Sequence, residues 1–234
     1  GRGLLQENYA PKHIGGGKMI EIKIHGYGGQ GVVVAAELLA LAFSKEGKYV
    51  QAFPSFGTAK RWVPLVAFVR VDTLPIRLRC EVCNPDHLIL LDSSLVRFPD
   101  IINGFNTETC IFINSTKNQE SFVFPDHFHA FTVDASNIAK KHGLGNGAYS
   151  FVNTAMLGSF ARITSLLSIH SICEAIKETL VSKREESIAA AREAYARVQH
   201  NHQWEAHEIQ TCGHLIRDDV IQQSRPVESP AANI

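Results

Sequence analysis

The sequence lacks an excess of charge of either sign, and it also lacks any long apolar run. It carries 23 basic and 23 acidic side chains, so its formal net charge at pH 7 is zero. Binding to a nucleic-acid backbone normally requires a basic surface, and we therefore expect no nucleic-acid partner. No apolar run reaches the roughly 18 residues of a membrane-spanning helix, so we expect no membrane span. The first residues are polar and glycine-rich, which predicts no secretory signal.

Cysteine is scarce and is not clustered in the way that iron–sulfur proteins require. The chain has 5 cysteines, an odd number, which together with the missing secretory signal indicates a cytoplasmic protein. Cys80 and Cys83 form a CEVC motif, which can be half a metal site or a redox pair. No second pair follows at a standard spacing, so we interpret both as ordinary buried thiols and predict no metal site.

Histidine is concentrated near the C-terminus, but its spacing matches no known metal site. The residues concerned are His200, His202, His207 and His214, with Cys212 among them. A tail that contacts a partner subunit is the interpretation we favour. No paired carboxylates and no nucleophile–base pair form a motif, so we predict no catalytic residue in this chain.

Composition and patterning divide the chain into three parts. Residues 1–18 show no periodicity and end in three glycines, which predicts a flexible N-terminal arm. Residues 19–182 alternate between short apolar strands and helices. Residues 183–234 begin as a charged helix and end as a polar tail, which we expect to contact other subunits.

The alternating part predicts an α/β fold of Rossmann-like type. Near-continuous apolar runs such as HLILL, at 87–91, are typical of buried parallel strands. We therefore expect a mostly parallel sheet with helices on both faces, followed by a helical C-terminal extension. Strands are predicted at 20–25, 49–52, 66–71, 87–91, 110–114 and 130–133, an extension of the sheet at 76–78, and helices at 32–45, within 150–180 and at 183–202.

The stretch HGYGGQG, which joins the first strand to the first helix, predicts a ligand-binding turn. Gly26, Gly28 and Gly31 meet the GxGxxG spacing of dinucleotide-binding turns. Such turns place an anion at the positive end of a helix. The second strand, however, leads into FPSFG without the acidic residue that would hold the ribose of NAD. The residues alone leave open a phosphate-bearing ligand and a turn that only allows close packing.

Several segments together resemble one family. GGQG followed by VVVAAELLALAF, then QAFPSFG, FVRVDTLPI, NPDHLILLD and NTAMLGSFAR, are similar to the gamma chain of the thiamine-dependent 2-oxoacid:acceptor oxidoreductases, the pyruvate and ketoisovalerate ferredoxin oxidoreductases. These segments occur in family order between about Ile20 and Val181. The resemblance implies a subunit of a complex that converts a 2-oxoacid and coenzyme A to acyl-CoA and CO2 and passes electrons to ferredoxin or another acceptor.

The resemblance also implies which cofactors and partners to expect. Thiamine diphosphate, Mg and [4Fe-4S] clusters would lie on alpha, beta and delta-type chains, whereas this chain would contact coenzyme A. That role would need no ribose-binding acid. The residues that we expect to contact the coenzyme are Gly26, Tyr27, Gly28, Gly29, Gln30, Gly31, Ser55, Phe56, Gly57 and Arg61.

Other polar residues admit two interpretations each. Lys60 and Arg61 could contact an anion or another subunit. Asp92, at the end of a strand, could face a ligand or cap the next turn, and Asn153 and Thr154 could do no more than cap a helix.

One segment departs from the family pattern. Where the family often has FGxERRGAP, this chain reads FGTAKRWVP, so Trp62 and Val63 replace a small pair. A bulkier or aromatic 2-oxoacid is one hypothesis, and packing of Trp62 against a neighbouring chain is the other. Alternatives for the whole chain are a scaffold subunit whose turn binds nothing, a free-standing NAD-dependent oxidoreductase, and a subunit of an indolepyruvate-type enzyme with one large partner.

Overall fold

The fold is a single six-stranded sheet covered mainly on one face by helices. In the computed structural model, the described residues are 19–55, 64–102, 109–122, 124, 129–145 and 150–200, with side chains to residue 198. The strands are β1 (Ile20–Gly26), β2 (Tyr49–Ser55), β3 (Leu65–Asp72), β4 (His87–Leu90), β5 (Cys110–Asn114) and β6 (His129–Val133). The helices are α1 (Val32–Lys45), α2 (Pro99–Ile102), α3 (Ala135–Lys141), α4 (Asn153–Thr164), α5 (Ile169–Thr179) and α6 (Arg184–His200), with 3-10 turns at Ser93–Arg97 and Gln119–Ser121.

The strand order is β2-β3-β1-β4-β5-β6, and most neighbours are parallel. Only β3 runs against its two neighbours, β1 and β2. The sheet is therefore mostly parallel, and the predicted architecture is confirmed. Short apolar strands such as β4 and β5 form its centre because their residues are buried on both faces.

Side chains alternate between two faces of the sheet. Ile22 and Ile24 of β1 pack in the larger core cluster with α1, α3, α4, α5 and α6, and we call this side the helical face. Leu88 and Leu90 of β4 lie on the other side, which we call the opposite face, together with the 3-10 turn at Ser93–Arg97 and α2. The helices thus cover the two faces unequally.

The opposite face of β1, β2 and β3 carries polar side chains instead of a helix-packed core. Glu21, Lys23 and His25 alternate along β1 with the apolar residues of the helical face. Glu21 is paired in register with Arg70 of β3, and Arg70 with Gln51 of β2. We call Glu21, Lys23, His25, Gln51 and Arg70 the polar stripe. It extends to the carboxyl end of β1, where His25 lies.

Two predictions are wrong: the extension of the sheet at 76–78 and the burial of Cys80 and Cys83. Residues 76–78 form no strand, because β3 already has β1 and β2 as neighbours and offers no free ladder beside it. Cys80 and Cys83, expected to be buried, are both exposed. They lie on the segment between β3 and β4, and Val82 between them is buried.

No helix among the described residues is both long enough and apolar enough to cross a bilayer. The charged helix that was expected at 183–202 is present as α6, which is described as far as His200. Its alanines Ala190, Ala191 and Ala194 are fully buried against the helical layer. The arm at 1–18 and the tail beyond residue 200 lie outside the described residues.

Candidate functional site

The glycine turn lies at the carboxyl ends of β1 and β4, two adjacent parallel strands whose following connections run to opposite sides of the sheet. From β1 the chain passes through α1 to β2, on one side of β1. From β4, the parallel neighbour of β1, it passes through the short helices to β5 on the other side. Open α/β sheets bind ligands at such a switch point, outside the carboxyl ends of the strands. Gly26, Tyr27, Gly28, Gly29, Gln30 and Gly31 lie at this edge.

Gln30 holds the turn in shape through both ends of its side chain. Its Oε1 accepts a hydrogen bond from the backbone N–H of Tyr27 at 2.8 Å. Its Nε2 donates to Oδ2 of Asp92 at 3.1 Å, which joins the turn to the end of β4. With 9% of its surface exposed, Gln30 serves the structure of the turn, and its side-chain groups are already engaged.

Asp92 and Tyr27 complete this junction. The other carboxylate oxygen of Asp92 accepts from the backbone N–H of Ser94 at 2.9 Å and so caps the 3-10 turn that follows. The hydroxyl of Tyr27 lies 3.2 Å from Oγ of Ser94. Of the two interpretations of Asp92, the capping role is therefore confirmed, and its negative charge is directed towards neutral donors.

Two features require glycine at position 31: its backbone angle and the close approach of another side chain. Its φ is 84°, in the left-handed region that favours glycine. A Cβ at this position would lie 2.6 Å from Nδ2 of Asn153, the first residue of α4. The N-termini of α1 and α4 therefore meet at the turn, although the two helices are far apart in the sequence.

Neither of these two helix ends is capped by a side chain. Gly31 precedes α1 and Val152 precedes α4; neither provides a cap, and neither helix has an acidic residue in its first turn. By contrast, Asp134 caps α3 and Ser168 caps α5. Asn153 does accept the next backbone N–H, that of Thr154, at 3.0 Å. The turn thus brings together the positive ends of two helices, neither of which is capped by the residue before it, and this is an arrangement suited to an anion.

Two buried polar groups near the turn have no hydrogen-bond partner in the part of the chain that the structure describes. One is the hydroxyl of Thr154, whose side chain is 1% exposed. The other is the imidazole of His25, the last side chain of β1 before the turn, in which both ring nitrogens are unpaired although the residue is only 8% exposed. Burial, reinforced by the charge of Lys23, lowers the pKa of His25 to about 3. His25 is therefore neutral at physiological pH.

This shift predicts a measurable dependence of stability on pH. Between the ordinary pKa of 6.5 and the folded value of about 3, the unfolded chain binds a proton that the folded chain does not. Acid therefore favours unfolding in this range. We expect the free energy of unfolding to fall by about 1 kcal/mol more between pH 6.5 and 5.5 than it does in a His25→Leu variant. Urea unfolding of both proteins at these two pH values checks this, and equal slopes would contradict it.

The polar stripe next to His25 is tightly connected. The Nε of Arg70 donates to Glu21 at 2.7 Å, and one terminal nitrogen donates to Gln51 at 3.2 Å. Arg70 is 1% exposed, so it is a buried cation with a partly exposed partner. Burial is the main cause that lowers the pKa of Lys23, whose ammonium lies 6.0 Å from the ring centre of Phe68.

Only part of the sequence-predicted site can be located. Ser55 ends β2 at the same edge of the sheet, and its hydroxyl donates to Oε1 of Glu81 at 2.6 Å. Phe56, Gly57, Lys60 and Arg61 lie outside the described residues, so their predicted contacts with coenzyme A remain predictions. His25 was missed by sequence reasoning because a histidine within an apolar strand gives no sign of whether its nitrogens are paired.

The described residues contain no group of three or more His, Cys, Asp and Glu that could hold a metal ion. In the CEVC motif, Sγ of Cys80 accepts a hydrogen bond from Arg70 at 3.6 Å. The histidine-rich tail lies outside the described residues.

Comparison with known proteins gives consistent matches. The family model described as pyruvate ferredoxin/flavodoxin oxidoreductase matches residues 21–197. The pyruvate synthase subunit PorC of Methanothermobacter marburgensis is 42% identical over 184 residues, which cover 78% of this chain and 99% of that protein. The common gamma subunit of the pyruvate/ketoisovalerate oxidoreductases of Pyrococcus furiosus is 42% identical over 185 residues, covering 77% of this chain and 98% of that protein.

Solved structures agree with these matches. The pyruvate oxidoreductase subunit PORC from Thermotoga maritima has a TM-score of 0.65 and 31% identity, covering 76% of this chain and 96% of that chain. The 2-oxoglutarate:ferredoxin oxidoreductase from Magnetococcus marinus, solved with 2-oxoglutarate, coenzyme A and succinyl-CoA, has a TM-score of 0.59 and 20% identity. That match covers 78% of this chain and 31% of the larger one, and it supports the fold alone.

Proposed function

The chain belongs to the pyruvate ferredoxin/flavodoxin oxidoreductase family, and from this premise we propose that its glycine turn helps to hold coenzyme A. It is a gamma-type subunit of a complex that oxidatively decarboxylates a 2-oxoacid, with ferredoxin or a similar protein as electron acceptor. We place alpha, beta and delta-type chains in the same cytoplasmic complex. Thiamine diphosphate with Mg, and the [4Fe-4S] clusters, would be bound by those chains, where the thiamine stabilises the carbanion formed on decarboxylation.

The observation that carries the proposal is the meeting of two uncapped helix N-termini at Gly31. Coenzyme A bears a pyrophosphate and a 3′-phosphate, and an anion of this kind is stabilised by free backbone N–H groups at a helix start. The first helical hydrogen bond of α1 is made by the N–H of Ala35 to Gly31, so the amides of residues 32–34 have no helical acceptor. They are available to a ligand oxygen.

The surroundings of the turn are compatible with a phosphate. The described end of β2, which would carry the ribose-binding acid in an NAD enzyme, ends in Ser55 and has no carboxylate. The nearby carboxylate of Asp92 is occupied by donors from Gln30 and Ser94. Gly28 leaves open space, because a Cβ built on it would meet no atom within 4 Å. Gly28 can therefore be replaced by a larger residue without a steric clash at Cβ.

We expect Gly28→Asp to raise the KM for coenzyme A by about tenfold or more in the assembled complex, because it adds a negative charge next to the phosphates. Gly28→Asn is the matched control: it has nearly the same shape but no charge, and it should leave this KM within about twofold. The KM for the 2-oxoacid should be unchanged in both variants. Steady-state kinetics of the complex purified with each variant checks this.

The same pair of variants separates the alternative roles of the turn. If Gly28→Asp and Gly28→Asn behave alike in coenzyme A kinetics, the turn binds no phosphate and the scaffold interpretation is correct. If only Gly28→Asp prevents assembly, the turn contacts another subunit. Tight binding of NAD by the isolated chain would favour the free-standing oxidoreductase instead.

The size of the 2-oxoacid is a separate question. Trp62 and Val63 lie outside the described residues, so the hypothesis of a bulky or aromatic substrate rests on the sequence alone. The related proteins named above act on pyruvate and ketoisovalerate, as their names state. A substrate panel decides the matter, since a strong preference for pyruvate over aryl 2-oxoacids would exclude the hypothesis.

A further inference from the structure

His25 is a buried imidazole that has no hydrogen-bond partner among the residues that the structure describes. It is 8% exposed, and neither Nδ1 nor Nε2 has a donor or acceptor within reach. A neutral imidazole needs one acceptor for its N–H and one donor for its other nitrogen. Leaving such groups buried and unpaired destabilises a protein, and native structures rarely do so without a reason. The question is where the missing partners come from.

On three sides of His25, the neighbouring side chains do not form hydrogen bonds with its ring. Its cross-strand neighbours on the opposite face are Val66 of β3 and Leu90 of β4, which have no polar side-chain atoms. Below it on the same strand is Lys23, whose ammonium makes no hydrogen bond with the ring. The backbone beside it is also engaged, since the carbonyl of His25 accepts from the N–H of Leu91 at 2.8 Å. Among the described residues, nothing pairs with the ring on the side of the carboxyl edge of the sheet, where the glycine turn begins.

The setting also determines which chemical groups suit this imidazole. With apolar neighbours on two sides and an ammonium on the third, protonation is disfavoured, and a salt bridge to a phosphate is not what this ring would form. A neutral ring that both donates and accepts instead suits neutral polar groups, such as amides and hydroxyls. In coenzyme A these groups occur along the pantetheine arm, which extends away from the pyrophosphate.

We propose that His25 is a positioning residue for coenzyme A, and that its imidazole hydrogen-bonds to the amide or hydroxyl groups of the pantetheine arm when the phosphates occupy the glycine turn. This inference rests on the proposed function of the turn and adds a second point of contact to it. Two contacts, one with the phosphates and one with the arm, orient the coenzyme better than one contact. The arm would satisfy polar atoms that the described residues leave unpaired.

The test replaces His25 in the assembled complex by leucine, which has a similar volume and no polar atoms, and by glutamine, which can both donate and accept. We expect His25→Leu to raise the KM for coenzyme A by about tenfold, and His25→Gln to raise it less. The KM for the 2-oxoacid should not change. The thermal stability of the isolated His25→Leu chain should be equal to or higher than that of the wild type, because an unpaired buried polar group has been removed.

His87 provides the matched control. It is also a buried histidine of a central strand, 2% exposed, but it lies at the amino end of β4 and its ring packs edge-on against Phe112 and Phe160. We expect His87→Leu to lower stability and to leave the KM for coenzyme A unchanged. The two histidines should therefore show opposite patterns of stability and affinity.

The outcomes distinguish failure of this inference from failure of the proposed function. If Gly28→Asp raises the KM for coenzyme A but His25→Leu does not, the turn binds the coenzyme and the inference about His25 is wrong. If neither variant changes this KM, both proposals fail. If His25→Leu lowers stability while the KM stays constant, or if it prevents assembly, His25 has a structural or subunit-contacting role.

Discussion

Replacement of Glu21 by glutamine is expected to lower the free energy of unfolding by about 3 kcal/mol, because it leaves a buried cation without its counter-charge. Arg70 is 1% exposed and makes a 2.7 Å ion pair with Glu21 through its Nε. Arg70 also contacts Gln51, the thiol of Cys80 and the ring face of Phe53. These contacts solvate the guanidinium but do not neutralise it.

A double-mutant cycle separates the pair from the individual residues. Arg70→Met removes the buried charge while keeping much of the side-chain volume. The combined Glu21→Gln and Arg70→Met variant should therefore lose less stability than the sum of the two single variants. Lys177 and Glu174, which form an exposed pair at 2.7 Å, are the matched control and should show much weaker coupling, because solvent screens them. Urea unfolding gives the free energy of unfolding of the wild type, the two single variants and the double variant in each cycle. Additive losses for Glu21 and Arg70 would contradict the interpretation.

Gly158→Ala is expected to cost roughly 2–3 kcal/mol, and for a different reason: the new methyl group would collide with a neighbouring backbone. A Cβ on Gly158 of α4 would lie 2.1 Å from the carbonyl oxygen of Ala191 in α6. The oxygen belongs to the main chain, so only a shift of one helix relative to the other relieves the clash. Alanine is favoured over glycine within a helix by about 1 kcal/mol, and this gain offsets only part of the cost.

Gly28→Ala is the control for this second prediction, since a Cβ on Gly28 meets no atom within 4 Å. Thermal unfolding of the purified chains should show a clear loss for Gly158→Ala and little change for Gly28→Ala. A Gly158→Ala chain as stable as the wild type would mean that α4 and α6 do not pack as closely as the structure shows. Because α6 lies beyond the boundary that composition alone suggested, this variant also tests whether α6 belongs to the folded domain.

Much of the fold could be predicted because its main signal is local. The apolar runs of β4 and β5 and the helical periodicity of α1 follow directly from which side chains are buried, and the predicted bounds agree with the structure within a few residues. The strand expected at 76–78 failed because a strand also needs a free neighbour, and the order β2-β3-β1 leaves none beside β3.

The candidate site likewise has features that follow from the local sequence and features that depend on the tertiary structure. The amino-acid sequence by itself determined the glycine turn, its place between a strand and a helix, and the missing ribose-binding acid, because these depend on residue type and spacing within a few positions. Only the tertiary structure decided that α4 begins against Gly31, that Gln30 reaches Asp92, and that His25 is left without a partner. Each of these depends on segments distant in sequence that meet at one edge of the sheet, and local patterns carry no information about such meetings.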